Sequence, residues 1–261
     1  MNTILIAIIS LSIIGFLCSA LITFASKVMF VKVDERVEKI RNCLPGANCG
    51  ACGFSGCDGY AVALVEDGLA TNLCPPGGVS TLEQINEILG VTGGEGLAKQ
   101  TAVVHCLGDI ESAQSKMVYI GVDSCFAARQ LFGGQRACTY GCVGLGDCVK
   151  VCPVDAICME DGLARIDPRK CSGCNLCVKT CTANVISMHS APVNVAVMCK
   201  NTEKGAKLKG KCSKGCIGCM KCVKECPEEA ITVNDFLAII DYNKCTSCRK
   251  CVEVCIAKCI V

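Results

Sequence analysis

The chain of 261 residues has no tryptophan, and aromatic residues make up only 4% of it. Proteins that bind single-stranded nucleic acid stack the bases on aromatic side chains, so this composition argues against a nucleic-acid partner. Histidine is also scarce, with only His105 and His189. Both lie next to apolar, strand-like stretches, where a structural role is more common than acid–base catalysis. The net charge of +2 indicates no particular partner.

No G-x-G-x-x-G fingerprint follows a strand-like stretch, so the sequence offers no evident dinucleotide site. The glycines of YGCVGLGDC lie instead among closely spaced cysteines. We therefore expect no independent substrate-converting site in this chain, and we expect any catalysis to belong to an assembled complex.

Charge is missing from the stretch ILIAIISLSIIGFLCSALITFA, residues 4–25. As a helix it would reach about 33 Å, enough to cross a hydrocarbon core of about 30 Å. It lacks the charged start and cleavage site of an export signal. Lysine and arginine follow it and none precedes it, which predicts a single-pass protein of the cell membrane whose bulk is cytoplasmic. A buried helix and an uncleaved signal are the alternatives.

Cysteine, in contrast, is abundant, with 28 residues. Such a content is typical of a disulfide scaffold, of zinc sites or of iron–sulfur clusters. Disulfide scaffolds belong to short secreted chains, whereas cytoplasmic thiols are kept reduced. The length of this chain and its expected location therefore favour metal.

Most cysteines after residue 137 fall into four runs, arranged in two similar halves. Residues 152–171 and 226–245 have equal length and match at 11 of 20 positions. The four runs, in chain order, are Cys138-x3-Cys142-x5-Cys148-x3-Cys152, Cys171-x2-Cys174-x2-Cys177-x3-Cys181, Cys216-x2-Cys219-x2-Cys222-x3-Cys226 and Cys245-x2-Cys248-x2-Cys251-x3-Cys255. The first run has gaps of three and five residues where the others have two and two. Zinc sites usually use separated C-x2-C pairs, so zinc is the weaker interpretation.

The other three runs resemble those of two-cluster bacterial ferredoxins, in which the fourth cysteine binds the neighbouring cluster. The resemblance covers a first half at about 138–187 and a second half at about 212–261. It implies four ligand sets: Cys138, Cys142, Cys148 and Cys181; Cys171, Cys174, Cys177 and Cys152; Cys216, Cys219, Cys222 and Cys255; and Cys245, Cys248, Cys251 and Cys226.

A different cysteine pattern, Cys49-x2-Cys52-x4-Cys57-x16-Cys74, lies nearer the start of the chain. The glycines of CGACGFSGC leave the backbone free to wrap closely around a cluster. Taken alone, these four cysteines could also hold zinc.

The apolar start MNTILIAIISLSIIGFL, the stretches LPGANCGACGFSGC and LCPPGG, and the ferredoxin-like runs together resemble the B subunit of the Rnf (or Rsx) complex. That resemblance implies a [4Fe–4S] cluster on Cys49, Cys52, Cys57 and Cys74. It also implies that the protein relays electrons between soluble acidic ferredoxin and a complex of membrane and peripheral subunits, where transfer to NAD is coupled to movement of Na⁺ or H⁺. The alternative is an iron–sulfur subunit of another dehydrogenase or hydrogenase complex, in which the apolar start packs on a partner.

Eight cysteines lie outside these sets. Cys106, Cys125, Cys199 and Cys212 precede the two halves, and they either hold a sixth cluster or are buried thiols. We therefore expect at least five [4Fe–4S] clusters, and six if this quartet binds one. Cys18, Cys158 and Cys259 are interpreted as apolar packing residues. Cys43 has no assigned role.

These features predict an α+β protein with a transmembrane helix, a small [4Fe–4S] domain and two tandem ferredoxin-like domains. The expected segments are a transmembrane anchor at 1–26, a four-cysteine cluster domain at 27–90, a strand-bearing connector at 91–137, the first ferredoxin-like domain at 138–187, a basic connector at 188–211 and the second ferredoxin-like domain at 212–261.

Overall fold

The computed structural model describes residues 2–28, 34–92, 100–190 and 193–261. Parts of the predicted segments, at 29–33, 93–99 and 191–192, lie outside the described residues. The helices are α1 (Asn2–Val28), α2 (Glu35–Cys43), α3 (Cys57–Glu66), α4 (Gly78–Leu89), α5 (Cys125–Gln130), α6 (Asp147–Lys150), α7 (Leu176–Thr180), α8 (Gly205–Leu208), α9 (Lys221–Glu225) and α10 (Lys250–Glu253). The strands are β1 (Gln100–Val104), β2 (Ile157–Glu160), β3 (Leu163–Ile166), β4 (Ile186–Ser190), β5 (Ile231–Asn234) and β6 (Leu237–Ile240). The predicted mixture of helices and strands is confirmed.

The apolar start of the chain forms α1, whose large side chains, among them Leu11, Phe16 and Ile22, are exposed. A helix that crosses a bilayer needs about 20 consecutive apolar residues. Within the described ranges, no helix is both long and apolar enough to do so. This finding contradicts the predicted single-pass location in the cell membrane with the bulk of the protein cytoplasmic, and it leaves the predicted transmembrane anchor without support.

Three helices form a small domain around the first cysteine pattern. Asp34 caps α2 by accepting the backbone N–H of Arg36 at 2.9 Å. Helices α2, α3 and α4 bury one face each, and their shared core contains Ile40, Tyr60, Leu64 and Ile85. Burial of such side chains contributes about 1.5–3 kcal/mol each. The core therefore supports the loops that carry the cysteines on both sides of α3.

Each ferredoxin-like half contains one antiparallel hairpin. In the first half, β2 pairs with β3 from Ile157↔Ile166 to Glu160↔Leu163. In the second half, β5 pairs with β6 in the equivalent register. The first hairpin turns through Asp161–Gly162, a sequence that favours the left-handed backbone of a two-residue turn. The second turns through Asp235–Phe236, where phenylalanine has a φ of 59°.

In each half, the last residues pair with the segment that precedes the same half in the chain. Strand β1, which ends next to Cys106, pairs with β4. Residues 196–198, which end next to Cys199, pair with the last three residues of the described chain, and the N–H of Met198 donates to the carbonyl of Cys259 at 2.7 Å. This pairing places Cys106 and Cys199 at equivalent positions beside the two halves.

Candidate metal centres

Four cavities lie among the cysteines. Their linings contain, in that order, Cys106, Cys138, Cys199 and Cys212; Cys125, Cys142, Cys148 and Cys181; Cys152, Cys171, Cys174 and Cys177; and Cys216, Cys219, Cys222 and Cys255. Each lining therefore contains a cysteine quartet, which indicates that the four cavities suit the same kind of metal group.

Two further quartets are brought together at opposite ends of the sequence. Burial raises the pKa of Cys74 to about 11, and the charges of the other three cysteines of its quartet act in the same direction. Burial likewise raises the pKa of Cys251, and its three partners again contribute. These quartets are Cys49, Cys52, Cys57 and Cys74, and Cys226, Cys245, Cys248 and Cys251.

The thiols surround cavities rather than single points. In the part of the chain that the structure describes, no three or more histidine, cysteine, aspartate or glutamate side chains are grouped so as to hold one metal ion. A [4Fe–4S] cluster binds its four thiolates through different iron atoms, so its ligands stand apart around a cube. The chemistry of the quartets and the shape of the cavities fit such a cluster.

One predicted ligand is replaced by another. The resemblance to ferredoxins groups Cys138 with Cys142, Cys148 and Cys181, but in the structure Cys125 completes that cavity. Burial raises the pKa of Cys148 to about 12, and the charges of Cys142, Cys125 and Cys181 reinforce this effect. The structure thus places Cys125, and not the predicted Cys138, with the other three cysteines of this set.

The reason for the exchange is a missing cysteine in the first run. When CVGLGDCVKVCP is aligned with CIGCMKCVKECP, Leu145 stands opposite Cys219. The run that starts at Cys142 therefore lacks its second cysteine, and α5 supplies one from outside the run, at Cys125. Sequence reasoning placed this residue in another set, with Cys106, Cys199 and Cys212, because it has no fixed spacing to the run. The gap at Leu145 is the signal that could have revealed it.

Asp147 fixes the position of the added cysteine. Its carboxylate accepts hydrogen bonds from the Ser124 hydroxyl at 2.8 Å and from the backbone N–H of Phe126 at 3.1 Å. Asp147 also starts α6, which carries Cys148. The carboxylate thus joins the start of α5 to the start of α6, and it holds Cys125 beside Cys148.

All four runs share the same backbone turn. A residue with left-handed backbone precedes each short helix, two positions before the third cysteine of the run. These residues are Gly146, Asn175, Met220 and Arg249, with φ between 58° and 75°. The incomplete first run therefore keeps the backbone geometry of the complete ones.

The remaining cavity, which we call the central cavity, receives equivalent residues from both halves. Cys106 and Cys199 end the strand-like sequences VVHC and AVMC, and Cys138 and Cys212 lie four residues before Cys142 and Cys216, respectively. Three of the four cysteines considered for a sixth cluster therefore line this cavity, and Cys138 stands there in place of Cys125.

Backbone N–H groups join the central cavity to both halves. The N–H of Cys142 donates to the sulfur of Cys106 at 3.4 Å. Burial raises the pKa of Cys199 to about 11, and N–H donors from Asn201 and Cys216 partly offset that effect. Cys142 and Cys216 line the neighbouring cavities of the first and second halves. Each contact therefore links a cysteine of the central cavity with a cysteine of the next one.

Arg136 lines the central cavity and is only 8% exposed. Its guanidinium donates to the carbonyl oxygens of Gly108, Asp109 and Gly162, the last at 2.7 Å. None of the ion pairs formed by the described residues includes Arg136. A buried cation is costly unless negative charge lies nearby. Four cysteine thiolates in the same cavity would supply that charge.

Tyr60 holds the loop that brings the last cysteine to the N-terminal quartet. Tyr60 is fully buried on α3, the helix that starts at Cys57. Its hydroxyl donates to the carbonyl of Ala70 at 2.9 Å and accepts the N–H of Leu73 at 3.2 Å. The residue that follows this loop is Cys74, so the two bonds bring it back towards Cys57.

Three cysteines outside the quartets, Cys259, Cys158 and Cys43, have different surroundings. Cys259, interpreted as a packing residue, is buried, and its sulfur is 3.6 Å from that of Cys255. A side-chain hydrogen bond with Cys259 lowers the pKa of Cys255 to about 5 and also lowers that of Cys216. Cys158 is exposed on β2, so its interpretation as a packing residue is wrong. Cys43 donates to the carbonyl of Lys39 at 3.2 Å.

The two histidines lie together between the halves. The ring of His105 is 2.7 Å from the carbonyl oxygen of Val197 through Nδ1, and through Nε2 it is 2.6 Å from the Ser187 hydroxyl and 3.0 Å from His189. Burial lowers the pKa of His105 to about 4 and also lowers that of His189. The pair is therefore neutral at neutral pH, and it joins β4 to the segment that leads to Cys199.

Comparison with known proteins agrees with this cysteine arrangement. Residues 44–76 match an Fe–S cluster family, and residues 170–231 and 215–259 each match a 4Fe–4S dicluster domain family. The predicted presence of 4Fe–4S ferredoxin domains is thereby confirmed. Neither dicluster match reaches the first run, the one that lacks its second cysteine.

Three curated relatives match over nearly the whole chain. The B subunit of the Na⁺-translocating ferredoxin:NAD⁺ oxidoreductase complex of Acetobacterium woodii is 40% identical over 100% of this chain and 78% of its own length. The B subunit of an ion-translocating oxidoreductase complex of Methanosarcina acetivorans is 40% identical over 95% of this chain and 94% of its own. The chain belongs to this family of B subunits. The B subunit of the proton-translocating ferredoxin:NAD⁺ oxidoreductase complex of Clostridium ljungdahlii is 38% identical over 99% of this chain and 91% of its own length. The predicted resemblance to the Rnf family is confirmed.

Proposed function

We propose that this protein relays electrons through six [4Fe–4S] clusters, between soluble acidic ferredoxin and the other subunits of an ion-translocating ferredoxin:NAD⁺ oxidoreductase complex. The observation that carries the proposal is the set of four cavities whose linings each contain a cysteine quartet, together with two further quartets. When bound, the clusters supply one-electron redox chemistry, and the chain supplies ligands, insulation from water and hydrogen bonds to sulfur.

The proposed ligand sets follow the quartets. They are Cys49, Cys52, Cys57 and Cys74; Cys152, Cys171, Cys174 and Cys177; Cys125, Cys142, Cys148 and Cys181; Cys106, Cys138, Cys199 and Cys212; Cys216, Cys219, Cys222 and Cys255; and Cys226, Cys245, Cys248 and Cys251. The buried, unpaired charge of Arg136 supports a cluster in the central cavity, because a cube with four thiolates is an anion.

Contacts between quartets support an unbranched order for the relay. In the order just given, each set is linked to the next by a charge effect, a hydrogen bond or a shared helix. Burial raises the pKa of Cys49, and the charge of Cys174 adds to this effect. Burial also raises the pKa of Cys148, and the charge of Cys177 adds to that effect. The N–H···S contacts of the central cavity link its set to the sets on either side, at Cys142 and at Cys216. The short helix α9 links the last two sets, since it carries Cys222 and ends at the residue before Cys226.

Ferredoxin would dock on the second half, beside its first run, so that electrons enter at the fifth set of this order and the sixth set lies on the other side of the entry point. Ile217, Met220 and Phe236 are exposed apolar side chains there, and Cys219 between them is exposed as well. The Nζ of Lys204 lies 6.0 Å from the centre of the Phe236 ring. An apolar patch next to an exposed cysteine of a cluster site gives a partner a short path for an electron.

The basic connector supplies the charge for this surface. Lys211 pairs with Glu203, and Lys214 pairs with Asp109. The other exposed lysines on and beside α8, which are Lys204, Lys207 and Lys209, have no ion-pair partner within the described ranges. Free positive charges attract an acidic protein and raise the association rate, and salt screens this effect within about 8–10 Å.

The backbone of Phe236 supports a functional reason for its presence. The first hairpin has Gly162 at the equivalent turn position, where a left-handed backbone carries no steric cost. Phe236 adopts the same left-handed φ, which costs about 1 kcal/mol or more for a bulky residue. The second half therefore keeps an exposed aromatic ring at a position that would be more stable with glycine.

Two variants test the docking surface. Replacing Lys204, Lys207 and Lys209 by glutamate should slow electron entry from reduced ferredoxin about tenfold or more at low salt, an effect of charge on association. The defect should shrink as salt rises, with the iron content unchanged. The matched control is the same triple replacement by arginine, which keeps the charge and should keep the rate. Phe236→Gly should slow electron entry without lowering the unfolding temperature. A glutamate triple variant that accepts electrons at the wild-type rate at low salt would contradict this docking site.

A further inference from the structure

A fifth cysteine lies in the cavity that Cys216, Cys219, Cys222 and Cys255 line. Cys259 is only 2% exposed, and its sulfur is 3.6 Å from that of Cys255. A cube takes one thiolate at each of its four irons, and the four cysteines of the run pattern already supply them. The thiol of Cys259 is therefore left without an iron but in contact with a ligand.

The backbone holds Cys259 in this place. Its carbonyl accepts the N–H of Met198 at 2.7 Å, and next to it Ala196 and Val261 exchange two backbone hydrogen bonds, at 2.8 and 3.1 Å. This pairing fixes the backbone position from which the thiol of Cys259 enters the cavity. From there its sulfur lies 3.6 Å from that of Cys255.

The first half has an apolar residue at the same position. Val185 aligns with Cys259, is buried, and lines the cavity that contains Cys181. Its carbonyl accepts the N–H of His105 at 2.6 Å, just as that of Cys259 accepts the N–H of Met198. The two halves therefore offer the same site with and without a thiol.

We propose that Cys259 is not a ligand but an S–H donor to the Cys255 thiolate, and that it raises the reduction potential of that cluster above the value it would have with valine. The inference rests on the proposed function, since it needs a cluster at this site. A hydrogen bond to a ligand sulfur withdraws negative charge and so favours the reduced, more negative form of the cluster. The donor thus makes the cluster beside the exposed Cys219 easier to reduce.

The test uses the two halves as controls for each other. Cys259→Val in the reconstituted full chain should leave the iron and sulfide content unchanged and lower the potential of one cluster in an EPR-monitored redox titration. Cys259→Ser keeps a donor and should lower the potential less. The reciprocal change Val185→Cys should raise the potential of the cluster bound through Cys181.

Three outcomes would overturn the inference. One is an unchanged potential in Cys259→Val. Another is loss of the cluster in Cys259→Val while Cys255→Ser retains it, because Cys259 would then be the ligand. The third is an equal drop for valine and serine, because the shift would then reflect packing rather than a donor. Iron analysis of the unaltered protein separates these outcomes from a failure of the proposed function, because that failure would appear as missing iron before any potential is measured.

Discussion

Replacing Cys125 by serine tests the corrected ligand set of the first half. The variant leaves three cysteines around that cavity, which are Cys142, Cys148 and Cys181. A cube with three protein ligands either loses the iron at the open corner or is lost entirely, so the iron content should fall by about one to about four atoms from a total of about 24. Cys125 lies far before the run in sequence, so the spacing rule for ferredoxins predicts no effect at all.

The second step is a rescue. Leu145 occupies the position of the missing cysteine, so Cys125→Ser combined with Leu145→Cys should regain the full iron content. Leu145 is only partly buried against the core of the first half. Its replacement by the smaller cysteine should therefore cost about 1 kcal/mol of folding free energy. The fold should tolerate this loss, and the rescue is specific because the new thiol enters the run at its regular spacing.

The assay is iron and sulfide analysis of anaerobically reconstituted protein, with EPR of the reduced protein to identify the cluster that changes. Cys138→Ser is the matched control. It should lose the central cluster instead, and Leu145→Cys should not restore it. The ligand exchange would be refuted if Cys138→Ser removed the cluster of Cys142 and Cys148 while Cys125→Ser left the iron content intact.

Two other predictions concern the central cavity. Arg136→Met should lower the reduction potential of the central cluster, because a buried positive charge is lost, and should destabilise the fold by about 3 kcal/mol, because three carbonyls lose their donor. Arg136→Lys keeps the charge and should retain most of the reduction potential. An equal potential in the unaltered protein and both variants would show that Arg136 serves only the carbonyls. Cys199→Ser should narrow the EPR lines of the two clusters that adjoin the central cluster, because their magnetic coupling to the central cluster disappears. The EPR signal of the N-terminal cluster should stay unchanged. Lines that stay broad would contradict the unbranched order.

Spacing and the resemblance to two-cluster ferredoxins together predicted the quartets whose members follow the ferredoxin pattern, and the structure places one of them around a single cavity, lined by Cys152, Cys171, Cys174 and Cys177. Local geometry accounts for the run itself, because a left-handed residue before a short helix turns Cys171, Cys174 and Cys177 towards the same cavity. The assignment of Cys152 to this set came from the resemblance, in which the fourth cysteine binds the neighbouring cluster.

The central cavity and the incomplete first run were harder, because they depend on contacts between distant segments. Cys125 reaches its cavity because Ser124 and Phe126 donate hydrogen bonds to Asp147. The spacing of the cysteines does not predict these two hydrogen bonds. Cys106 and Cys199 come together only after β1 and residues 196–198 have paired with the ends of the two halves. Alignment of the two halves would have identified Cys138 with Cys212, and this was the signal that sequence reasoning did not use.

The number of clusters in the unaltered full chain tests the six-cluster relay most directly. Anaerobically reconstituted protein, assayed for iron and acid-labile sulfide per chain, should contain about 24 of each, as six [4Fe–4S] clusters require. Reduction with excess ferredoxin and its electron donor should then bleach the visible absorption of all six. About 20 of each would contradict a cluster in the central cavity. About eight of each, or stoichiometric zinc in place of iron, would contradict the six-cluster relay as a whole.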